Sequence, residues 1–540
     1  MVMDIWAFVK VAVGFCLSTT EKPTFASVAY LKLRPDPRSP QYLISRQVQF
    51  SLNIVNLQEQ LKTTFGYDEF RFPQKEIIEK VLDGESLLAL MPTGAGKSLT
   101  YQMVSLFCEK NADGSFKELV LVISPLIALM QDQTQKAQAV GISATFINSS
   151  ISGAEKISRM KKITEGKYQL LFVTPERFRK DEFLQSIATT KVKLFVVDEA
   201  HCASLWGHDF RPDYSKLQIF RERLGHPPVL ALTATATEDV QTDITKQFNL
   251  HAEKEIIFGG LARPELALNV IEAYSDVEKN ENLLKYITEN ATESGIIYFT
   301  LVQTLEKTAQ FLASKKISFL KYFGDLPPDV KKRNQNLFLK GEVKWILATP
   351  AFGLGIDKSD VRTVIHYEIP SSIEAYFQEV GRAGRDRQTA QGFFLYSEDD
   401  LMIQMDFLNW AYPEKEFIEK VYDLIATRPA EVGADGFDYL REQMVFKNRK
   451  DFRVNAAVSI LHRWGCLDEA QTPFGFSAVT PPTSELFRIE DQALLKKEHQ
   501  KKLLALLRFI QNTDDCRLVQ IYNYFGFKDQ EPCGHCDVCR

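Results

Sequence analysis

Membrane-compatible sequence is scarce in this 540-residue chain. The apolar run from Ile5 to Leu17 is interrupted by Lys10 and preceded by Asp4. It falls short of the ~20 residues a spanning helix needs and lacks the basic leader of a secretory signal. An excess of positive charge is also missing. Lys and Arg total 65 against 70 Asp and Glu, a formal charge of −5, so a nucleic-acid surface here has to be a local patch. Cysteine is sparse, eight in all, which excludes a disulfide-stapled secreted scaffold. Cys533, Cys536 and Cys539 crowd the C-terminus, a spacing that points to metal in a reducing compartment.

What remains is ordinary globular composition. A hydrophobic share of 45% and a charged share of 25% can fill the cores of three or four domains at ~100–200 residues each. Residues 21–40 carry Pro23, Pro35, Pro37 and Pro40 without a hydrophobic period, so 1–50 reads as a disordered N-terminal extension outside the folded engine.

From about Leu52 the pattern becomes regular. Leu87–Leu90 reads as a buried strand and Leu99–Phe107 as a helix, with Met91-Pro92-Thr93-Gly94-Ala95-Gly96-Lys97-Ser98 between them. Such a loop turns backbone N–H groups and a helix N-terminus toward one point, a phosphate site. Lys97 reaches the outer phosphates and the Ser98 hydroxyl ligates Mg²⁺. The strict pattern wants glycine where Met91 stands. Upstream, Phe65–Gln74 precedes a helix expected over 74–82. The Gln74 amide both donates and accepts, as an adenine edge requires, and Tyr67 or a neighbouring aromatic offers a stacking face.

Apolar strands alternating with helical segments follow: Leu119–Ile123, Leu170–Val173, Leu194–Val197 and Val229–Leu232. This predicts a parallel sheet covered on both faces, with functional residues at the strand C-termini. Asp198 and Glu199 stand at such an end, where one carboxylate holds Mg²⁺ and the second orients water. A second series (Gly295–Phe299, Trp345–Ala348, Val361–Ile365) has no phosphate loop. It carries Ala351–Asp357 and then Gln378-Glu379-Val380-Gly381-Arg382-Ala383-Gly384-Arg385. Arg382 and Arg385, three apart on one helical face, are placed to project into a facing cleft and stabilise charge on a transferring phosphoryl group.

Beyond Tyr396 the alternation stops. Helices are expected over 413–426, 437–446 and 451–464, the last presenting Val454, Ala457, Val458 and Leu461 on one face. A hairpin over 465–476 completes a winged-helix pattern, a fold that grips duplex DNA and in other settings binds protein. Cys516, Cys533, Cys536 and Cys539 form the ligand set of a structural tetrahedral Zn²⁺, with His535 a bystander. Cys16, Cys108, Cys202 and Cys466 are scattered singly, as small buried residues are.

Together these motifs resemble the RecQ family of superfamily-two DNA helicases from about Leu52 to Arg540. Met91–Ser98 looks like its motif I, Asp198–His201 like a DEAH-type motif II, Thr233–Thr235 like motif III, Ala348–Lys358 like motif V and Gln378–Arg385 like motif VI. Phe65–Gln74 resembles the adenine-reading motif. Cys516–Cys539 resembles the family's zinc module. The stretch His201–Pro212 looks like the aromatic-rich loop that couples DNA contact to hydrolysis. The sequence departs from the family at Tyr322-Phe323-Gly324-Asp325, usually Tyr-His-Ala-Gly, and at Pro350, commonly Asn. The zinc module also lies far beyond the motor instead of directly after it.

The resemblance implies an α/β architecture of two tandem RecA-like domains, 51–258 and 259–402. A winged-helix domain (410–482) and a helical zinc module (483–540) would follow. It implies catalytic roles for Lys97, Asp198, Glu199, Arg382 and Arg385. ATP contacts are expected from Arg71, Gln74, Thr93, Gly94, Ala95, Gly96, Lys97, Ser98 and Gln378, with DNA coupling through Trp206, His208, Phe210 and Arg211. The cofactors would be ATP, Mg²⁺ (Ser98, Asp198) and Zn²⁺. The partners would be single-stranded and forked duplex DNA, with a single-stranded-DNA-binding protein as a protein partner. The location would be the bacterial cytoplasm at the nucleoid, or a eukaryotic nucleus. Translocation would run 3′ to 5′, in repair or recombination. Two other readings stay open here: an RNA helicase of DEAD-box type, and a DNA-binding or annealing protein whose nucleotide site is only a switch.

Overall fold

The computed structural model describes residues 57–188, 190–204, 207, 211, 213–251, 255–260, 263–353, 358–445, 451–469, 476–528 and 530–540. The N-terminal extension 1–50 and the loop residues Trp206, His208 and Phe210 lie outside them.

The first sheet contains β1 (Leu87–Leu90), β2 (Glu118–Ile123), β3 (Ala144–Ile147), β4 (Leu170–Val173), β5 (Lys191–Asp198), β6 (Val229–Thr233) and β7 (Ile256–Phe258), in the order β3-β4-β2-β5-β6-β1-β7. Every pairing is parallel. Its strands are continuous apolar runs because helices cover both faces, and β1, β2 and β4 are buried along their whole length. This order makes β5, β6 and β1 neighbours. The loops leaving their C-terminal ends therefore meet at one point, although β1 ends more than a hundred residues before β5.

The second sheet holds β8 (Leu266–Glu272), β9 (Ser294–Tyr298), β10 (Phe319–Tyr322), β11 (Trp345–Ala348), β12 (Val361–His366) and β13 (Ala390–Tyr396), in the order β10-β11-β9-β12-β13-β8, again all parallel. Trp345 and Ile346 lie beside Gly295 and Ile296 in register. Gly295 has no room for a side chain, since a Cβ there would enter the Trp345 ring. A short linker joins Phe258 at the end of β7 to Leu266 at the start of β8.

After the helix Asp399–Ala411 the chain leaves the motor and builds a small core of its own. Helices Lys415–Thr427, Pro429–Val445 and Arg453–Arg463 pack around Ile418, Val421, Leu440, Val454 and Leu461. The strands β14 (Leu467–Glu469) and β15 (Phe476–Ala478) pair antiparallel beside them. The middle helix is broken at Gly436 (φ 54°, ψ −128°), a conformation open to glycine. The chain then returns through Gln492–Gln511, which packs against Asp399–Ala411. The Tyr412 hydroxyl and His499 Nδ1, 2.9 Å apart, close the seam. The three helices and strand pair are thus an insertion between two helices that pack on each other.

The C-terminal segment reaches both sheets. Asp537 accepts from the Val270 N–H (3.0 Å) and its own N–H donates to Leu268 O (3.1 Å), capping edge strand β8. Arg517, 2% exposed, donates to Asp537 and to the carbonyls of Ile510 and Asn512. Phe527 stacks on Phe258 of β7, with ring centroids 3.6 Å apart. Among the described residues no helix is long and apolar enough to cross a membrane.

Replacing Gly295 by alanine is expected to destabilise the second sheet by about 1–3 kcal/mol through overpacking against Trp345, seen as a lower urea midpoint. An unchanged midpoint would mean that the Trp345 ring moves aside freely.

Candidate functional site

The phosphate loop leaves β1 with Met91 still in the sheet. The Met91 N–H donates to Thr233 O of β6 (2.9 Å) and its side chain is fully buried. The position that the strict pattern reserves for glycine therefore carries the β1–β6 hydrogen bonding one residue past β1, and its side chain fills the core. The turn itself uses Gly94 (φ +85°) and Gly96 (φ +80°), where L side chains are strained. The helix Lys97–Ser105 follows with Gly96 as N-cap, so its first N–H groups face the loop.

Lys97 Nζ lies 3.9 Å from Glu199 Oε1, and His201 Nδ1 lies 3.4 Å from Glu199 Oε2. Glu199 takes a left-handed backbone conformation (φ 49°) at the end of β5. For a non-glycine residue this is strained, and it aims the side chain back into the cleft. Burial, reinforced by the adjacent Glu199 charge and opposed by Lys97, pushes the Asp198 carboxyl up to about 7. Tyr214 O–H holds the Asp198 carbonyl (3.1 Å). His201 Nδ1 is also 2.9 Å from Thr233 Oγ1, which accepts from the Thr235 N–H (3.2 Å), linking the ends of β5 and β6.

The second sheet supplies the opposite wall. Gly94, Gly96, Lys97, Ser98, Asp198 and Glu199 line one cleft of ≈720 Å³ together with Arg71, Gln74, Thr93, Gln378, Arg382 and Arg385. The arginines do not ride on a helix as their spacing suggested. The helix Ile373–Val380 ends first, and both sit in the turns that follow. The glycines explain it: Gly381 ends the helix and Gly384 takes φ +66°. Arg382 is 6% exposed and hydrogen-bonded to Tyr298, its Nε has no hydrogen-bond partner among the described residues, and its Nη2 packs against Gly353. Arg385 lies over Gly94, leaving only 3.3 Å between its Cγ and the place a Gly94 Cβ would occupy.

Gln74 and Arg71 are engaged otherwise than the adenine pairing alone suggests. Gln74 Oε1 accepts from the Arg71 N–H (2.9 Å), and its Nε2 donates to Ala95 O (2.9 Å) and Gly96 O (3.2 Å). Arg71 Nη1 donates to Gly94 O (3.0 Å). Both hold the carbonyl side of the phosphate loop. Arg211, the described member of the DNA-coupling set, donates its N–H to Cys202 O (2.9 Å) and its Nη1 to Pro125 O (3.2 Å).

The sequence reading missed Arg263. It is 7% exposed in the linker and contacts Thr93, Glu265, Gly381 and Ala383. No motif marks it, because its partners are carbonyls scattered along the chain.

The ligand atoms of Cys516, Cys533, Cys536 and Cys539 all lie within 4.8 Å of one another, a fit for tetrahedral zinc. Burial pushes the Cys516 thiol up, but N–H donors, led by that of Cys533 (3.2 Å), hold it down at about 7. His535 turns its ring nitrogens to the carbonyls of Cys533 and Leu266, so it stands outside the sulfur cluster. Cys108, Cys202 and Cys466 are buried singly.

Comparison with known families matches DEAD/DEAH box helicase over residues 71–243, helicase conserved C-terminal domain over 278–387, and RecQ zinc-binding over 484–540. The chain is 40% identical over 343 residues to an ATP-dependent DNA helicase RecQ of Bacillus subtilis, covering 63% of this chain and 56% of that protein. To the protein of the same name from Synechocystis it is 31% identical over 500 residues, covering 90% of this chain and 98% of that one. It spans 56–62% of the length of the Bacillus, Haemophilus and Pasteurella relatives. Among solved structures, yeast Dbp5 bound to RNA and ADP BeF3 superposes with a TM-score of 0.51 at 18% identity, over 65% of this chain and 90% of that one. That likeness concerns the fold alone.

Cys536→Ser is expected to remove stoichiometric zinc and destabilise the C-terminal segment, since zinc contributes apparent energies of ~10–16 kcal/mol in small modules. Metal content and thermal unfolding check this. A zinc-free variant that melts with the wild type would contradict it.

Proposed function

The chain belongs to the RecQ family of ATP-dependent DNA helicases, and on that premise we propose that it hydrolyses ATP to drive 3′-to-5′ movement along single-stranded DNA and unwind duplexes during repair or recombination. The observation that carries this reading is the single cleft lined by Lys97, Asp198 and Glu199 from one sheet and by Gln378, Arg382 and Arg385 from the other. A catalytic site divided between two sheets works only when they close on it, so hydrolysis and domain movement become one event.

In this reading Lys97 and the N–H groups of Thr93–Ser98 bind the phosphates, while Arg71, Gln74 and Gln378 hold the rest of ATP. Glu199 orients the attacking water, held in place by Lys97 and His201. Arg382 and Arg385 meet the charge that develops on the transferred group. Ser98 and Asp198 suit Mg²⁺. Burial and the adjacent Glu199 charge push the Asp198 carboxyl up, and a cation beside it would favour its charged form. Bound there, the metal supplies Lewis-acid charge stabilisation.

DNA contact is assigned to Trp206, His208, Phe210 and Arg211, with the aromatic faces stacking on bases at ~1–3 kcal/mol each. The proposed domains are 51–258 and 259–402 for the motor, 410–482 for a winged-helix-like unit, and 483–540 for the zinc module. A single-stranded-DNA-binding protein as partner, and a cytoplasmic or nuclear site of action, belong to the same proposal.

ATP turnover should rise with single-stranded DNA and respond little to RNA, while 3′-tailed duplexes should be unwound in preference to 5′-tailed ones. RNA preference would sink the DNA assignment. Lys97→Ala is expected to abolish ATP turnover and unwinding while leaving DNA binding near wild type. Arg385→Ala should lower turnover by ~10³-fold or more. If Lys97→Ala kept unwinding activity, the motor reading would fail.

A further inference from the structure

Arg263 is an unusual charge to find in a linker. A guanidinium stays protonated at any physiological pH, and burying one costs several kcal/mol unless its donors are met. Here they are. The Nε pairs with the Glu265 carboxylate, Nη1 donates to Gly381 O (3.0 Å), and Nη2 donates to Ala383 O. Nη1 also approaches Thr93 O of the phosphate loop at 3.5 Å, the longest and weakest of the set.

The identity of these acceptors matters more than their number. Gly381 and Ala383 are the residues on either side of Arg382, so one planar group grips the backbone on both flanks of that arginine. Gly381 in turn rests against the first sheet. A Cβ built on it would lie 3.6 Å from both Thr93 Cβ and Arg263 Nη1. Glu265 supports the same turn from below, 3.0 Å from the place a Gly384 Cβ would occupy. The Arg263–Glu265 pair therefore sits where the linker, the phosphate loop and the arginine-bearing turn converge. Arg382 itself is hydrogen-bonded through its guanidinium to Tyr298, and the backbone on both sides of it is held by Arg263.

We propose that Arg263 is a positioning residue for hydrolysis, setting the Gly381–Arg385 turn against the phosphate loop so that Arg382 and Arg385 meet the phosphoryl group in the right orientation. This rests on the ATPase reading above. It assigns the linker a role in the chemical step beyond joining two domains. Lysine cannot substitute, because an ammonium on a flexible stem keeps the Glu265 pair but loses the rigid fork that reaches two carbonyls at once.

The test compares wild type with Arg263→Lys and with the double variant Arg263→Gln/Glu265→Gln, which leaves no orphaned buried carboxylate. Turnover with single-stranded DNA should fall ~10–100-fold, the cost of misplacing a catalytic group by about 1 Å. KM and ADP affinity should stay within about threefold, the split expected when an interaction made only in the transition state is lost. Affinity for ADP with aluminium fluoride should fall in step with turnover. Turnover within about twofold of wild type in both variants would overturn the proposal. So would equal losses of ADP and fluoride-complex affinity, which would mark general damage to the site. If the wild type itself lacked DNA-stimulated hydrolysis, the helicase reading would fail instead, and the two nucleotide complexes would still decide the role of Arg263.

Discussion

Two carboxylates on consecutive residues, one buried and one half-buried beside an ammonium group, set the terms for the rest of this molecule. Asp198 and Glu199 close β5 in a cleft where Lys97 is 3.9 Å from Glu199. Burial and the neighbouring Glu199 charge, opposed by Lys97, push the Asp198 carboxyl up to about 7. Arg382 and Arg385 of the second sheet line the same cleft, so its acidic and basic groups come from different sheets.

The fold serves that constraint through strand order. Placing β5, β6 and β1 side by side brings the acidic pair, the Thr233–Thr235 turn and the phosphate loop to one edge, with His201 and Thr233 joining the first two. Two further devices bear on the spacing of the sheets. Arg263 joins the linker to Thr93 of the phosphate loop and to the Gly381–Ala383 turn. At the far side the zinc segment caps β8 through Asp537 and stacks Phe527 on Phe258 of β7. These two aromatics are the ones that pack against the cores of both motor sheets. The C-terminal segment therefore contacts an edge strand of each sheet, beside the linker that joins them.

Much of this was legible in the residues because the signals were local and chemical. Continuous apolar runs ending in polar motifs identified the parallel strands, and the helix expected over 74–82 spans Gln74–Leu82. The zinc cysteines were readable from spacing, and their sulfurs converge. What escaped was long-range or depended on backbone detail. Three residues separate Arg382 from Arg385 as on a helix, but Gly381 and Gly384 turn the chain, and periodicity does not register a helix that has already ended. The helix expected from 437 onward begins just past the break at Gly436, and the helical stretch from Pro429 up to that break carries no such expectation. Arg263 and Arg517 carried no sequence signal, because beyond one carboxylate each their partners are backbone carbonyls, which any residue type supplies. That the helices and strand pair after Ala411 are an insertion follows from the packing of Asp399–Ala411 on Gln492–Gln511, a contact between segments some eighty residues apart.

The phosphate loop is held in shape from within the chain. Gln74 and Arg71 hold the carbonyls of Gly94, Ala95 and Gly96 at 2.9–3.2 Å, Lys97 faces Glu199, and Arg385 covers Gly94. Carbonyls of the turn are thus met by side chains at and just before the start of an upstream helix, while Gly94 and Gly96 supply the left-handed angles that the turn needs. Backbone freedom at two glycines and two side chains gripping from one side together fix where the loop's N–H groups point.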